Sequence, residues 1–424
     1  MITFISDNKV HLGTSFIFSY VSNYSNRRLT PAIMIASRDT AEVTITIPKL
    51  ELQEKLTVDK YAELNFTNDF ISGLKGIDRR IDNLGVEVVS DTPIALYTTN
   101  TISKSADGSV IIPEDMLGTH YIVNTHFSEE SGYEEFVITA TTDNTLVHLI
   151  MPGGETDTAT LNRFDVLTRR RSYMSGTIIT SSSPINVQAG HKCGNVPTDN
   201  DNHCDHLSTE ILPIKYLQKT YIVPYMYPRG NFSVDIAAPY DQTSVSIYDT
   251  EGNLLESDIF SKGTSKIYLY ENVAAISISA SKPVHVSQFG FGAWNKSGDP
   301  SQTTIPPPQL YTNYYPFMVS EVYDTTNYVG IIIYRLYDVE ALLLDGQRVS
   351  PVESLVINLP CTGEFNILYV EVSNGYHTLT HENPGVKFGA ILYSRARRYE
   401  YVTYLGFEVN DGDTVEVPDE PEVY

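Results

Sequence analysis

The residues best suited to chemistry lie together in one segment rich in cysteine and histidine. Its candidate residues are His191, Lys192, Cys193, Asn195, His203, Cys204, Asp205 and His206. Thiols, imidazoles and carboxylates are ligands that Zn²⁺ accepts, although the spacing between Cys193 and Cys204 matches no standard zinc signature. Alternatively, the two cysteines form a disulfide across the polar loop between them, which would stabilise the fold by about 3 kcal/mol in the chain-entropy model. The residue types and their spacing leave both interpretations open.

Catalysis at this segment would require a nucleophile positioned beside one of the histidines. No serine or cysteine stands in a nucleophile-elbow sequence, and the chain contains no zincin motif, phosphate loop or dinucleotide fingerprint. The nearest glycine pattern, Gly290-Phe291-Gly292, follows a strand-like run and predicts a turn. The sequence therefore predicts a chain that is not an enzyme, with no catalytic residue, no metal and no cofactor.

Internal repetition predicts the elements that position this segment. One block, two apolar runs around a polar turn, begins at residue 33 and returns at 137 and 234. Such alternation on both sides of a turn is typical of a β-hairpin. A second block has a proline between strand-like runs, at Pro93, Pro184 and Pro283, and predicts a strand that restarts after a turn.

A third block links the copies through the pattern Pro-x3-Leu-x3-Tyr. Its helical spacing predicts one short helical turn before a strand. The three instances are Pro113-Leu117-Tyr121, Pro213-Leu217-Tyr221 and Pro306-Leu310-Tyr314. A fourth, more diverged copy runs from Tyr328 to Tyr393.

These repeats predict an all-β fold of four tandem, closely packed β-sandwich-like units of about 95–100 residues each. A β-propeller with two blades per repeat is the alternative. The predicted units are residues 1–110, 111–210 with the Cys193/Cys204 loop, 211–304 and 305–408. Residues 409–424 are predicted to form an acidic C-terminal tail or linker.

The chain's charge limits its partners. With 29 basic and 52 acidic residues, the formal net charge is −23, which argues against nucleic acid because there is no basic field to neutralise phosphates. The triplet Arg169-Arg170-Arg171 is predicted to be a solvated strand edge. No stretch approaches the roughly 18 apolar residues of a bilayer-spanning helix. The first residues also lack a signal-peptide pattern.

Two further features concern modification. The pattern N-x-[ST] marks candidate glycosylation sites at Asn23, Asn65, Asn231 and Asn295. If Cys193 pairs with Cys204, then Cys361 is left over. A leftover cysteine predicts either a buried thiol or an intermolecular bridge.

The run from Ala189 to Pro197, followed by Cys204-Asp205-His206-Leu207, resembles the IgG Fc-binding protein N-terminal domain family. The stretches 140–145, 374–381 and 388–393 are similar to its interior and closing segments, so the resemblance covers roughly residues 30–395. It implies a module of secreted or surface proteins in which the cysteine pair forms a disulfide. In animals such modules are often joined to von Willebrand type D regions, but this chain has no cysteine-dense repeats.

The sequence thus predicts a non-catalytic extracellular module, secreted or at the cell surface, that binds or scaffolds in an adhesion, mucus, matrix or surface-filament protein. Its expected partner is an extracellular protein or glycan, or copies of itself. The alternative is a self-assembling subunit of a surface fibre or coat. A metal-dependent enzyme at residues 191–206 is a further hypothesis.

Overall fold

The computed structural model describes twelve stretches of the chain: residues 9–23, 30–66, 78–102, 105–127, 133–197, 204–292, 299–321, 324–337, 339–359, 363–396, 399–410 and 412–415. The all-β prediction is confirmed, because strands dominate these stretches and none of them contains an α-helix.

The first sheet is built around one long strand. In chain order, the strands of this part are β1 (Lys9–Val10), β2 (Gly13–Phe18), β3 (Thr30–Ser37), β4 (Ala41–Ile47), β5 (Leu52–Val58), β6 (Tyr61–Asn65), β7 (Arg79–Asn83), β8 (Val86–Ile102) and β9 (Ser105–Ile111). The first half of β8 pairs with β2 and β4, and its second half pairs with β3 and β9. Pro93 lies between the two halves, where its missing N–H costs no ladder bond.

The next two sheets use the same pairing scheme. The second comprises β10 (Gly118–Ile122), β11 (Glu134–Ala140), β12 (Thr145–Ile150), β13 (Thr156–Leu161), β14 (Asp165–Arg171), β15 (Ile178–Asn195) and β16 (Cys204–Glu210). The third comprises β17 (Gln218–Pro224), β18 (Phe232–Ala238), β19 (Thr243–Tyr248), β20 (Leu254–Phe260), β21 (Thr264–Tyr270), β22 (Ala275–Gly290) and β23 (Ser301–Thr304). The long strands β15 and β22 take the place of β8, and β7 joins the second sheet beside β14.

In the last part of the chain the long strand is split in two. The strands are β24 (Tyr314–Val319), β25 (Thr326–Tyr334), β26 (Leu342–Leu344), β27 (Gln347–Arg348), β28 (Glu353–Leu359), β29 (Gly363–Val372), β30 (Gly375–His381), β31 (Phe388–Ala396), β32 (Tyr399–Tyr404) and β33 (Glu408–Val409). They form the sheets β24-β30-β26-β27 and β28-β29-β25-β31-β32, while β33 pairs with β1. These four parts of the chain, which we call units, share much of this pairing scheme, while the number of repeats and their predicted boundaries remain a prediction.

Two details of the predicted repeat are wrong. The strands of the first block do not pair with each other, since β3 pairs with β6 and β8 while β4 pairs with β5 and β8. Alternation shows that one face of each strand is buried, but it does not identify the neighbouring strand. The second block is one continuous bent strand instead of two strands around a turn.

The helical turn of the third block is confirmed as a short 3-10 turn, and a buried tyrosine follows it. The hydroxyl of Tyr121 donates to the carbonyl of Ile185 at 2.6 Å and accepts the Gly118 N–H. Tyr221 makes the equivalent bonds. In the third copy this residue is Tyr315, one position beyond the predicted Tyr314. The tyrosine thus ties the start of each strand to the long strand beside it.

The last strands of the four units, β9, β16, β23 and β32, meet at a polar centre that we call the strand ring. Each pairs on one edge with the long strand of its own unit. On the other edge, side-chain oxygens accept the neighbours' backbone N–H groups. The bonds run from Ala106 to Asp205, Thr304 to Thr209, Tyr404 to Thr303 and Val110 to Thr403.

Asp107 is the residue at the middle of the strand ring. It is fully buried, and its carboxylate accepts the backbone N–H groups of Gly108, Ser208 and Gln302 at 2.9–3.0 Å. The N–H of Val402, on the fourth strand, also bonds to it. Because these donors belong to β9, β16, β23 and β32, one side chain satisfies backbone groups from all four units.

The two ends of the described chain lie against the fold. Lys9 and Val10 pair with Val409 and Glu408. Within the predicted acidic tail, the N–H of Val415 donates to the carbonyl of Lys215 at 2.9 Å. Residues 416–424 of that tail lie outside the described residues.

His11 lies beside this closure and gives a pH-dependent prediction. It is buried against Tyr315, and burial lowers its pKa to about 4, with the carbonyl of Phe407 opposing the shift. Below its ordinary pKa of 6.5, the unfolded chain binds a proton that the folded chain does not, so the stability that neutral His11 supports is lost as the pH falls. Between pH 6.5 and 4, the stability of His11→Phe relative to the parent chain should rise by about 3 kcal/mol, as measured by urea unfolding. An unchanged difference across that range contradicts the assignment.

Candidate functional site

The cysteine and histidine segment forms the end of two paired strands. Cys193 lies near the end of β15 and Cys204 begins β16, where Asn195 pairs with Cys204 and Gly194 with Asp205. The register shifts between His191 and Gly194, which is a β-bulge. The two sulfur atoms are bonded to each other, with their Cα atoms 4.9 Å apart. The predicted disulfide is therefore present, and these sulfurs are not free to bind zinc.

Most of the predicted binding-loop side chains lie in the interior. His191, Asn195, Asp205 and His206 are all buried, whereas Lys192 is half-buried. His203 and the leftover Cys361 lie outside the described residues. The described part of the segment thus presents few side chains to solvent, and its role as a binding loop stays a prediction.

Two of the buried histidine rings, those of His191 and His126, make hydrogen bonds to the backbone. His191 accepts the backbone N–H of Cys193 at 3.0 Å through Nδ1, and the His126 Nε2 lies 2.7 Å from the carbonyl oxygen of Asn195. Burial lowers the pKa of His191 and of His206 to about 3, and that of His126 to about 4. These rings are therefore uncharged at neutral pH.

The carboxylate of the segment belongs to the strand ring. Asp205 accepts the N–H groups of Ala106 at 3.1 Å and His206 at 2.7 Å. Burial raises the pKa of Asp205, and the nearby carboxyl of Asp299 raises it further. Among the residues that the structure describes, no three or more His, Cys, Asp or Glu side chains are arranged to hold a metal ion. Asp205 therefore has a structural role, because it connects the end of the second unit to the strand ring.

A second site, which the sequence did not reveal, is an open groove on the second sheet. It has a volume of about 480 Å³ and is lined by Asp78, Tyr133, Pro152, Arg170, Arg171, Ser172 and Tyr173. Tyr133 and Tyr173 are 50% and 42% exposed, which is high for aromatic side chains in a folded protein. The Tyr173 hydroxyl lies 3.1 Å from Ser265 Oγ on the third sheet, which fixes one side of the groove.

The charges in this groove are already paired. Arg171 donates to Asp78 at 2.9 Å and to Glu155 at 2.8 Å, and Arg170 donates to Glu135 at 2.8 Å. Arg169 and Arg170 are buried, so the prediction of a solvated triplet is wrong for both. The sequence pattern does not show that Asp78, Glu135 and Asp157, which are distant in sequence or on other strands, form ion pairs with these arginines. A groove with two tyrosine rings and rigid polar groups is suited to binding a ligand by contact area and directed hydrogen bonds.

The candidate glycosylation sites differ in accessibility. Asn65 is exposed at the end of β6 and Asn231 is half-buried, whereas Asn23 is buried and donates its side-chain amide to the carbonyl of Asn100 at 2.9 Å. Asn295 lies outside the described residues. Glycosylation remains a prediction, and Asn65 is the most accessible candidate among the described asparagines.

Comparison with known proteins decides the family. A model of the IgGFc binding protein family matches residues 107–394, more than half of the chain. The chain belongs to this family. The match contains the disulfide, the strand ring residues Asp107 and Asp205, and the groove tyrosines, so the IgGFc-binding resemblance predicted from the motif is confirmed.

Two individual matches show how far the similarity to known proteins extends. The human protein named IgGFc-binding protein is 24% identical over 424 residues, which covers 96% of this chain but only 8% of that protein. Among solved structures, the BSP domain of a biofilm associated protein covers 97% of both chains, with 6% identity and a TM-score of 0.14. A likeness that low supports no argument about the fold. No described segment forms a helix long and apolar enough to cross a membrane.

The disulfide of this IgGFc-binding family member is expected to stabilise the fold. The bridge joins residues 11 positions apart, so reduction, or the double change Cys193→Ser and Cys204→Ser, should lower the free energy of unfolding by about 3 kcal/mol. Urea unfolding with and without reductant measures this loss. A Cys361→Ser background separates it from any effect of the third cysteine. A difference below about 1 kcal/mol would contradict a stabilising role.

Proposed function

We propose that this chain is a non-catalytic, extracellular protein-binding module of an adhesion, mucus, matrix or surface-filament protein. The observation that carries the proposal is the solvent-open groove with exposed Tyr133 and Tyr173, in a chain of the IgGFc-binding family. The disulfide supports an extracellular location, because such bonds persist in oxidising compartments.

The state of the candidate catalytic groups supports a non-catalytic role. His191 and His206 are buried and have pKa values lowered to about 3 by burial, far from the operating pH that general acid–base catalysis needs. Their ring atoms and the Asp205 carboxylate face the protein interior, where no substrate reaches them without opening the strand ring.

A protein ligand fits the groove better than the other partner classes. Tyrosine rings supply contact area at low cost in side-chain entropy, and protein interfaces are enriched in them. The net charge of −23 and the acid-paired arginines disfavour nucleic acid. IgG Fc is the first ligand to test, because a relative of this chain carries that name.

The decisive experiment measures binding of immobilised IgG Fc, and of extracellular proteins and glycans, to the parent chain and to a Tyr133→Ala/Tyr173→Ala variant. If the groove is the binding site, the double change should weaken binding by tenfold or more, about 1.4 kcal/mol. Tyr337→Ala is the control, since Tyr337 is 41% exposed and lies outside the groove. Equal affinity of the double variant and the parent chain would overturn the groove assignment. Binding of glycans alone would replace the protein ligand with a glycan.

A further inference from the structure

The second and third sheets differ at one edge. In the second sheet, β14 pairs with β11 on one side and with β7, a strand from the preceding unit, on the other. In the third sheet, β21 pairs with β18, and no other described strand pairs with it. An uncovered strand edge presents a row of backbone N–H and C=O groups on which another strand can pair.

β14 and β21 occupy equivalent positions, which the register establishes. Phe164 and Gly263 precede the two strands with φ of 71° and 72°, and their N–H groups donate to Ala140 and Ala238. Counting from these anchors, Arg169 on β14 corresponds to Tyr268 on β21. Their partners, Phe136 and Val234, are equivalent in turn.

β7 shows how this edge holds an added strand. The antiparallel ladder runs from Asp165 opposite Asn83 to Arg169 opposite Arg79, and the N–H of Arg170 donates to the carbonyl of Asp78 at 2.9 Å. The side chain of Arg79 also pairs with Asp157 at 2.8 Å, on β13 at the opposite end of the strand order. Backbone hydrogen bonds and the ion pair between Arg79 and Asp157 therefore hold the added strand in place.

The open edge of β21 offers the same two kinds of contact, outward-facing backbone groups and an acidic side chain for an ion pair. Ile267 and Leu269 correspond to Thr168 and Arg170, so their N–H and C=O groups face the open side, and Leu269 is 57% exposed. Glu256 on β20 corresponds to Asp157, because these acids pair with the equivalent residues Ile247 and Leu149. Glu256 is exposed, and no cation among the described residues pairs with it.

We propose that the β21 edge binds an extended segment of a partner protein as an added antiparallel strand. A lysine or arginine of that segment lies opposite Tyr268 and pairs with Glu256. The inference rests on the proposed protein-binding function and adds a docking site and a partner chemistry to it. Strand addition of this kind takes affinity from main-chain bonds and specificity from alternate side chains.

Charge favours a basic partner segment over a second copy of the chain. The net charge of −23 repels another copy and attracts a cationic peptide. The lysine that a second β21 would bring, Lys266, is already bound to Asp258 at 2.8 Å.

The chain supplies its own probe, a blocked peptide with the sequence of β7, residues 79–83, which carries two arginines and one aspartate. Hydrogen exchange of the folded chain would be followed by mass spectrometry with the peptide at millimolar concentration. We expect slowed exchange in residues 264–270, and no change in 165–171, whose edge is already covered. The change Ile267→Pro removes an outward N–H and should abolish the effect.

The ion pair is tested by Glu256→Gln, which should weaken the peptide about threefold, the size expected for an exposed pair. A peptide with Arg79→Ala should lose the same factor, and combining both changes should cost no more than either alone. Glu54→Gln is the matched control, because Glu54 holds the equivalent position on β5 and pairs with Ile45.

Three outcomes overturn the inference: no protection of residues 264–270 at millimolar peptide, equal protection in Ile267→Pro, or equal weakening by Glu54→Gln. Protection that grows with protein concentration in the absence of peptide would assign the edge to a second copy and also overturn it. The groove experiment has a different readout, so the peptide can fail at β21 while the module still binds a ligand at Tyr133 and Tyr173.

Discussion

Asp107→Ala should lower the free energy of unfolding by at least about 3 kcal/mol, since it leaves at least three buried N–H donors without an acceptor at about 1–3 kcal/mol each. The donors are the backbone groups of Gly108, Ser208 and Gln302, each within 3.0 Å of the carboxylate. Because they belong to different units, the loss is felt across the strand ring and not within one sheet. Burial raises the pKa of Asp107, and the same backbone donors oppose that rise.

Urea unfolding at neutral pH, followed by circular dichroism, measures this effect. Asp59→Ala is a suitable control because Asp59 is an exposed turn residue. Asp107→Asn keeps one acceptor oxygen and should fall between the alanine variant and the parent chain. If Asp107→Ala unfolds within about 1 kcal/mol of the parent chain, the four units do not depend on this carboxylate for their contact.

Sequence reasoning reached the repeat pattern because that pattern depends on local chemistry. The proline before each short turn and the tyrosine after it are visible as spacing, and Tyr121 and Tyr221 occupy equivalent places in the fold. Strand pairing was missed because the long strands β8, β15 and β22 supply partners far away in sequence. Periodicity shows which face of a strand is buried. Which strand lies beside it depends on contacts between segments that are distant in sequence.

The polar elements were the hardest to predict. β7 has the sequence Arg79-Arg80-Ile81-Asp82-Asn83, which lacks the apolar alternation of a strand and forms one because the edge of β14 is available. Likewise the sequences around Asp107 and Asp205 are polar, as in a solvated turn, yet both aspartates are fully buried. Their acceptor role depends on donors about a hundred or more residues away, which no local pattern in one sequence reveals.

The family motif itself had two interpretations, and Gly190 distinguishes them. A side chain added at Gly190 would place its Cβ 1.8 Å from the carbonyl oxygen of Leu207 and 2.6 Å from its carbonyl carbon. Backbone atoms cannot rotate away as a flexible side chain can, so β15 and β16 would have to separate. The disulfide between Cys193 and Cys204 and the pairing of Asn195 with Cys204 resist that movement.

Gly190→Ala should therefore lower the free energy of unfolding by about 3 kcal/mol, at the upper end of the range for overpacked sites. Gly385→Ala is the control, because its nearest contact is the side-chain oxygen of Asn383 at 3.3 Å and its backbone has no positive φ. Thermal or urea unfolding measures both variants, and ligand binding is measured on whatever remains folded. A large loss of stability with unchanged affinity means that the motif maintains the contact between strands. Full stability with lost binding would instead make the Cys193/Cys204 segment the ligand site, and the buried placement of its histidines would then have to change on binding.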